Sequence, residues 1–196
     1  MSPTVEAIDR KKRAHAYLIA CYSPHPLVTH LKDAFPIGIP VLGIMEASLQ
    51  AAVNLCGVKL DHNESGKPEL VDHRFCIITT GAPWKAIFDN AIEDDYGGTI
   101  AGHYAGTFAI GVDAGDLHGE EPGTMSVEDK VKDAVRRALL QFGDPIVDVL
   151  ILGCAGMAGM GKWVREEANR LGQNVHIVDG VKVGVGMLET YLRHVE

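Results

Sequence analysis

At 196 residues, with 46% hydrophobic residues and a formal net charge of −8, the chain has enough apolar material for one large domain or two small ones. The acidic balance excludes a basic nucleic-acid surface, no apolar run reaches membrane-spanning length, and the N-terminus lacks the apolar core of a signal peptide. The four cysteines, Cys21, Cys56, Cys76 and Cys154, show neither a Cys-x-x-Cys pair nor metal-ligand spacing. Free thiols, a cytoplasmic location and no bound metal are therefore expected.

In chain order, Met1–Arg13 is polar and reads as the tail of a helix or a disordered lead-in. Ala16–Ala20 is a short buried-strand pattern that runs into Cys21-Tyr22-Ser23, and Leu27–Phe35 reads as a helix behind Pro24 and Pro26. Pro40–Ile44 is a strand, followed by a helix from about Glu46 to Leu55. Asp61–Asp72, with Gly66 and Pro68, reads as a polar loop. Arg74–Thr80 is a strand, Gly81 a turn, and Pro83–Ile92 a helix with proline in its first turn. Gly106–Val112 is a strand and Asp113–Gly123 a loop. Ser126 opens an amphipathic helix that runs to Phe142.

The stretch Ile146–Gly161 organises the chain. Its aliphatic run to Leu152 reads as a strand buried on both faces, stopping at Gly153-Cys154-Ala155-Gly156. A helix follows from Lys162 to Leu171, then a strand at Val175–Val178, a turn at Asp179-Gly180 and a closing helix from Val181 to His194. Strands alternating with helices imply parallel sheets with helices on their faces. The strand–cysteine–turn–helix unit occurs at Cys21 and again at Cys154, which predicts an α/β fold of two similar parallel-sheet halves facing across a cleft. Residues 1–72 with 181–196 form the first expected half and residues 73–180 the second.

Candidate chemistry centres on Cys21 and Cys154, each at a strand end beside a helix start, where α/β folds place ligands and a helix dipole favours thiolate. Each thiol could be a general base, a nucleophile or a buried side chain. Cys56 and Cys76, on a helix and inside a strand, fit the role of small buried hydrophobes. Gly153, Gly156 and Gly159, with Asp179 ending the next strand, imitate a dinucleotide fingerprint, but the spacing is wrong and a cysteine stands where close pyrophosphate approach allows nothing bulky. His25 and His30 are too far apart in sequence to share a helix face as ligands. Thr79-Thr80-Gly81 before a helix suits an anion or carbonyl, or simple capping, and Ser126 reads as a cap.

Three segments carry a resemblance: Ala20-Cys21-Tyr22-Ser23-Pro24-His25-Pro26-Leu27, Val41-Leu42-Gly43-Ile44-Met45-Glu46-Ala47-Ser48, and Leu152-Gly153-Cys154-Ala155-Gly156-Met157. With Ile77–Gly81 and Val178–Val181 in support, the chain resembles the aspartate/glutamate/hydantoin racemase superfamily from Tyr17 onward. Within it, the chain is most similar to the hydantoin and allantoin racemase branch. Ala155 and Met157 replace the Cys-Thr-His pattern usual in its amino-acid racemases. The resemblance implies a cofactor-independent two-base racemisation in which Cys21 and Cys154 are opposed acid and base. The implied substrate is a small molecule, a 5-substituted hydantoin or allantoin, with Ser23, Glu46, Ala47, Ser48, Thr79, Thr80, Gly81, Gly156 and Gly180 lining its pocket. Self-association into a homo-oligomer stays open.

Family members begin with a further strand and an Asn-Pro-Asn-type turn, so the first half is expected to lack its N-terminal strand. It is then also expected to be the less stable half, and the activity to be impaired. A non-catalytic relative serving binding or assembly is the alternative reading, and a dinucleotide-dependent oxidoreductase a distant third.

Overall fold

A computed structural model of the protein describes residues 14–35, 38–56, 59–62, 68–71, 73–119, 125–141 and 146–194. The reading of Met1–Arg13 lies outside these residues. Strand β1 (Tyr17–Ile19) leads to helix α1 (Pro26–Ala34), and strand β2 (Val41–Gly43) passes directly into helix α2 (Ile44–Cys56). Pro26 stands at the first turn of α1, where a missing N–H costs nothing, and His25 Nδ1 accepts the N–H of Leu27 at 3.2 Å. β1 and β2 pair in parallel, Tyr17 opposite Val41 and Ile19 opposite Gly43.

The expected polar loop Asp61–Asp72 is a correction. Strands β3 (Lys59–His62) and β4 (Pro68–Val71) form an antiparallel hairpin, Leu60 opposite Leu70. Each strand is only four residues long, β3 is mostly polar and β4 opens on proline, and the pairing that stabilises each comes from the other strand, so local composition reads only the Gly66–Pro68 breaker.

The second sheet is built from β5 (His73–Thr79), β6 (Tyr104–Ala109), β7 (Ile146–Leu152) and β8 (His176–Asp179), in the order β6-β5-β7-β8 and parallel throughout. Central β5 and β7 carry the continuous apolar runs: Phe75, Ile77, Ile78, Val149, Leu150 and Ile151 are all fully buried. Helix α3 (Pro83–Asn90) continues into a π-helical turn, Ala91–Tyr96, and a short helix α4 (Gly98–Gly102), a stretch the sequence reading left unassigned beyond Ile92. Helix α5 (Val127–Leu140) starts on Ser126, whose hydroxyl accepts the Asp129 N–H at 3.1 Å. Helices α6 (Gly161–Arg170) and α7 (Gly180–His194) follow β7 and β8.

The fold is therefore α/β with two parallel-sheet halves. One face of the large sheet packs α5 and α6 through Val131, Val135, Val164 and Ala168. The other face packs α2 and α3 through Met45, Leu49, Ala52 and Phe88. Helix α7 crosses back to the small sheet, where Leu188 meets Leu42 and Ala47. A Cβ at Gly184 would lie 2.7 Å from Leu18, so α7 rests on β1 at glycine distance. Among the described residues, no helix is long and apolar enough to cross a membrane.

Candidate functional site

The first cluster is built at the carboxyl end of the small sheet. Cys21, two residues past β1, is exposed, and its Sγ lies 3.4 Å from Ser23 Oγ. Between them Tyr22 turns inward, packing edge-on against Phe88 at 5.2 Å, and its hydroxyl oxygen accepts from Ser48 at 3.0 Å. Burial raises the Tyr22 phenol far above its ordinary pKa, only partly offset by the Ser48 hydrogen bond. Glu46, in the first turn of α2, folds its carboxyl onto Gly43, where a Cβ would lie 2.0 Å from Oε2. Tyr96, at the end of the π-helical turn, lies within electrostatic reach of the same carboxyl. Burial is the main cause that pushes its phenol up, and the Glu46 charge adds to it.

The second cluster lies at the carboxyl end of the large sheet. Gly153 leaves β7 by donating its N–H to Ile78 O at 2.8 Å, and its own carbonyl accepts from Thr79 Oγ1 at 3.3 Å. A Cβ there would lie 2.5 Å from Ile77 Cγ2. This glycine is thus demanded by strand packing, with no phosphate needed to explain it. Asp179 is likewise spent at the start of α7, where its carboxylate accepts the N–H groups of Val181 and Lys182 at 3.1 and 3.3 Å. Both contacts remove support from the dinucleotide reading.

Cys154 is partly buried and precedes a 3-10 turn, Ala155–Met157; α6 begins only at Gly161. Cys21 similarly stands five residues ahead of α1. Neither thiol sits at an α-helix start, so the expected helix-dipole stabilisation does not apply to either. Its effect fades beyond the first turn. Cys154 packs against the core cluster of the large sheet, and its Sγ lies 3.7 Å from the Cβ position of Gly156, which Leu117 crowds at 2.8 Å. The Asp113 carboxylate oxygen lies 3.1 Å from the Cβ position of Gly81.

The two carboxyl ends meet. A Cβ at Gly180, the residue after β8, would lie 2.8 Å from the carbonyl of Ile44, the residue after β2. Tyr22 and Ala155, the direct neighbours of Cys21 and Cys154, pack into one apolar cluster with Ile44, Met45 and Val178. Ser23 and Glu46 thus gather with Cys21 at the small-sheet end, and Thr79, Thr80, Gly81 and Gly156 with Cys154 at the large-sheet end. Ala47 instead faces α7, and Ser48 is fully buried on Tyr22 and Met45 O. Thr79 and Thr80 are buried as well, and Gly180 is enclosed at the joint.

Sequence reasoning missed Tyr22, Tyr96, Asp113 and Leu117. Only the Gly97-Gly98 break after Tyr96 could have flagged a local irregularity there. A separate groove of about 400 Å³ runs along β6 between Lys85 and Arg137. Neither thiol lines it, and its cations are engaged, Lys85 by Asp89 and Arg137 by Asp133.

Residues 2–188 match the pattern of the family described as Asp/Glu/Hydantoin racemase. The chain belongs to this family. It is 29% identical over 185 residues to an uncharacterized protein of Schizosaccharomyces pombe, covering 94% of this chain and 66% of that protein. It is 26% identical over 196 residues to Protein DCG1 of Saccharomyces cerevisiae, covering 97% and 70%. Glutamate racemase RacE1 from Bacillus anthracis superposes with a TM-score of 0.61 at 19% identity, covering 97% of this chain and 62% of that one. Glutamate racemase from Francisella tularensis superposes with a TM-score of 0.58 at 17% identity, covering 97% and 61%. The racemase-family fold is shared, and the chain spans 62% of the RacE1 chain.

Proposed function

We propose that this racemase-family chain inverts a carbon stereocentre of hydantoin or allantoin type without a cofactor, with Cys21 and Cys154 as the opposed acid and base. The observation that supports the reading best is the meeting of the two strand ends at Gly180 and Ile44, which brings both cysteine turns onto one apolar cluster. The halves in this proposal are residues 1–72 with 181–196, and residues 73–180. In such a ring the reacting C–H lies between a carbonyl and a nitrogen. One thiolate takes that proton from one face and becomes a thiol, leaving an enolate delocalised onto the carbonyl oxygen. The opposite thiol then returns a proton to the other face and becomes the thiolate, so the protein is reset for the reverse direction. Backbone N–H groups of the turns after the strands are suited to the developing oxyanion. Ser23 is the polar group against the Cys21 thiol; Thr79, Thr80, Gly81 and Gly156 frame the Cys154 side.

The test follows both proton transfers with one enantiomer of a 5-substituted hydantoin in D2O, reading optical rotation and C5 deuteration together. The native protein is expected to racemise and deuterate. Cys21→Ala and Cys154→Ala should each abolish inversion, while the surviving thiolate exchanges the proton of a single enantiomer. Racemisation by Cys154→Ala at the native rate would sink the two-base scheme. A second reading, a family member whose surface serves binding or assembly, is favoured by Ala47 and Ser48 being spent in the core. It predicts no exchange by the native protein with either enantiomer.

A further inference from the structure

The Glu46 carboxyl is a titratable group that the two-thiol scheme leaves without a task. It stands in the first turn of α2, just past Gly43, which is paired with Ile19 two residues before Cys21. Glu46 is partly exposed as a residue, yet its Oε2 is buried without a hydrogen-bond partner. The group lies in a cradle that a side chain would fill: a Cβ at Gly43 would come within 2.0 Å of Oε2 and 2.9 Å of the carboxyl carbon. From the large-sheet half of the molecule, the Tyr96 phenol lies near the same carboxyl. A buried acceptor left unbonded is costly and calls for a reason. Cradle and unbonded oxygen together mark a built acceptor, unlike a solvated surface carboxylate.

We propose that the Glu46 carboxylate, seated on Gly43, receives an N–H of the substrate beside the Cys21 thiol and so selects rings that carry a free N–H over N-alkylated ones. This rests on the racemase reading above and adds its specificity-determining residue. An ionised carboxylate only accepts hydrogen bonds. It therefore matches a ring N–H next to the acidic C–H, and an N-methyl group at that place offers it nothing. Oε2 turns from Gly43 to meet the N–H. A site whose polar group needs a donor discriminates strongly against an analogue that lacks one, because the carboxylate is then left unpaired.

Calorimetric titration with unsubstituted hydantoin and with 1,3-dimethylhydantoin separates the cases, since neither probe needs turnover. The native protein is expected to bind hydantoin at least about tenfold more tightly than the dimethyl compound. Glu46→Gln should lose most of that preference, because a neutral amide oxygen is a weaker acceptor than a carboxylate and costs less when unpaired. Gly43→Ala, which evicts the carboxyl from its cradle, should do the same with Glu46 intact. Equal affinity for both probes, no binding of hydantoin, or an unchanged preference in Glu46→Gln overturns the inference. C5 deuterium exchange is read in parallel. Exchange without N–H preference removes the role of Glu46 and leaves the racemase reading standing. N–H preference without exchange removes the racemase reading and leaves Glu46 as the acceptor.

Discussion

Exposure, more than helix position, separates the four thiols. Cys21 is exposed and Cys154 partly so, whereas Cys56 and Cys76 are fully buried. Burial, with the neighbouring Cys56 adding to it, drives the Cys76 thiol far above the ordinary range, so almost none of it is thiolate near neutrality. Iodoacetamide should label Cys21 first, Cys154 next, and the buried pair only after unfolding. Peptide mass spectrometry of a time course reads this order directly. Labelling of Cys76 in the folded protein at the rate of Cys21 would contradict the placement of the thiols.

At the scale of elements, α5 and α6 are fastened by a carboxylate. Glu167 on α6 is nearly buried, with 3% of its side chain exposed, and it is bonded by Arg170 at 2.6 and 2.8 Å and by Arg136 of α5 at 3.0 Å. The Arg170 hydrogen bonds are the largest cause holding its pKa below the ordinary glutamate value, against the opposing effect of burial. Because the folded value is depressed, this stabilisation is present above the unfolded pKa of about 4.3 and is lost as pH falls through the lower, folded value. Glu167→Gln should therefore be less stable than the native protein at pH near 7, the gap closing as the solution is acidified below about 4. Urea midpoints measured across that range test it. Curves that stay parallel would show that Glu167 carries no pH-linked stability.

For the whole molecule, the two sheets are unequal. The large sheet pairs four strands and buries both faces, whereas among the described residues β1 pairs only with β2, over three residue pairs. Amides of short, sparsely paired strands open more readily than those of central ones. Hydrogen exchange should therefore be faster in Tyr17–Ile19 than in Phe75–Ile78 and Val149–Leu152. Equal protection would mean that the halves open only together, which the shared packing of α2 on the large sheet and of α7 on the small one would then explain.

Local sequence carried whatever depends on near neighbours. The buried runs of β5 and β7, the Ser126 cap, the proline-led starts of α1 and α3, and the repeated strand–cysteine–turn unit are each legible because periodicity, capping and turn chemistry act within a few residues. The hairpin of β3 and β4 escaped, since a strand of four residues becomes a strand only when its partner supplies the hydrogen bonds. Tyr96 escaped for a similar reason: a lone tyrosine in an acidic stretch has no pattern, and its meaning comes from Glu46, fifty residues earlier in the chain. Sequence marked the cysteines and Glu46, while tertiary packing turned Ser48 onto Tyr22 and Ala47 toward α7. It also required glycine at positions 153 and 180, where one strand end comes too close to another element for a Cβ to fit. Those contacts join residues far apart in the chain, and only the folded chain determines their distances.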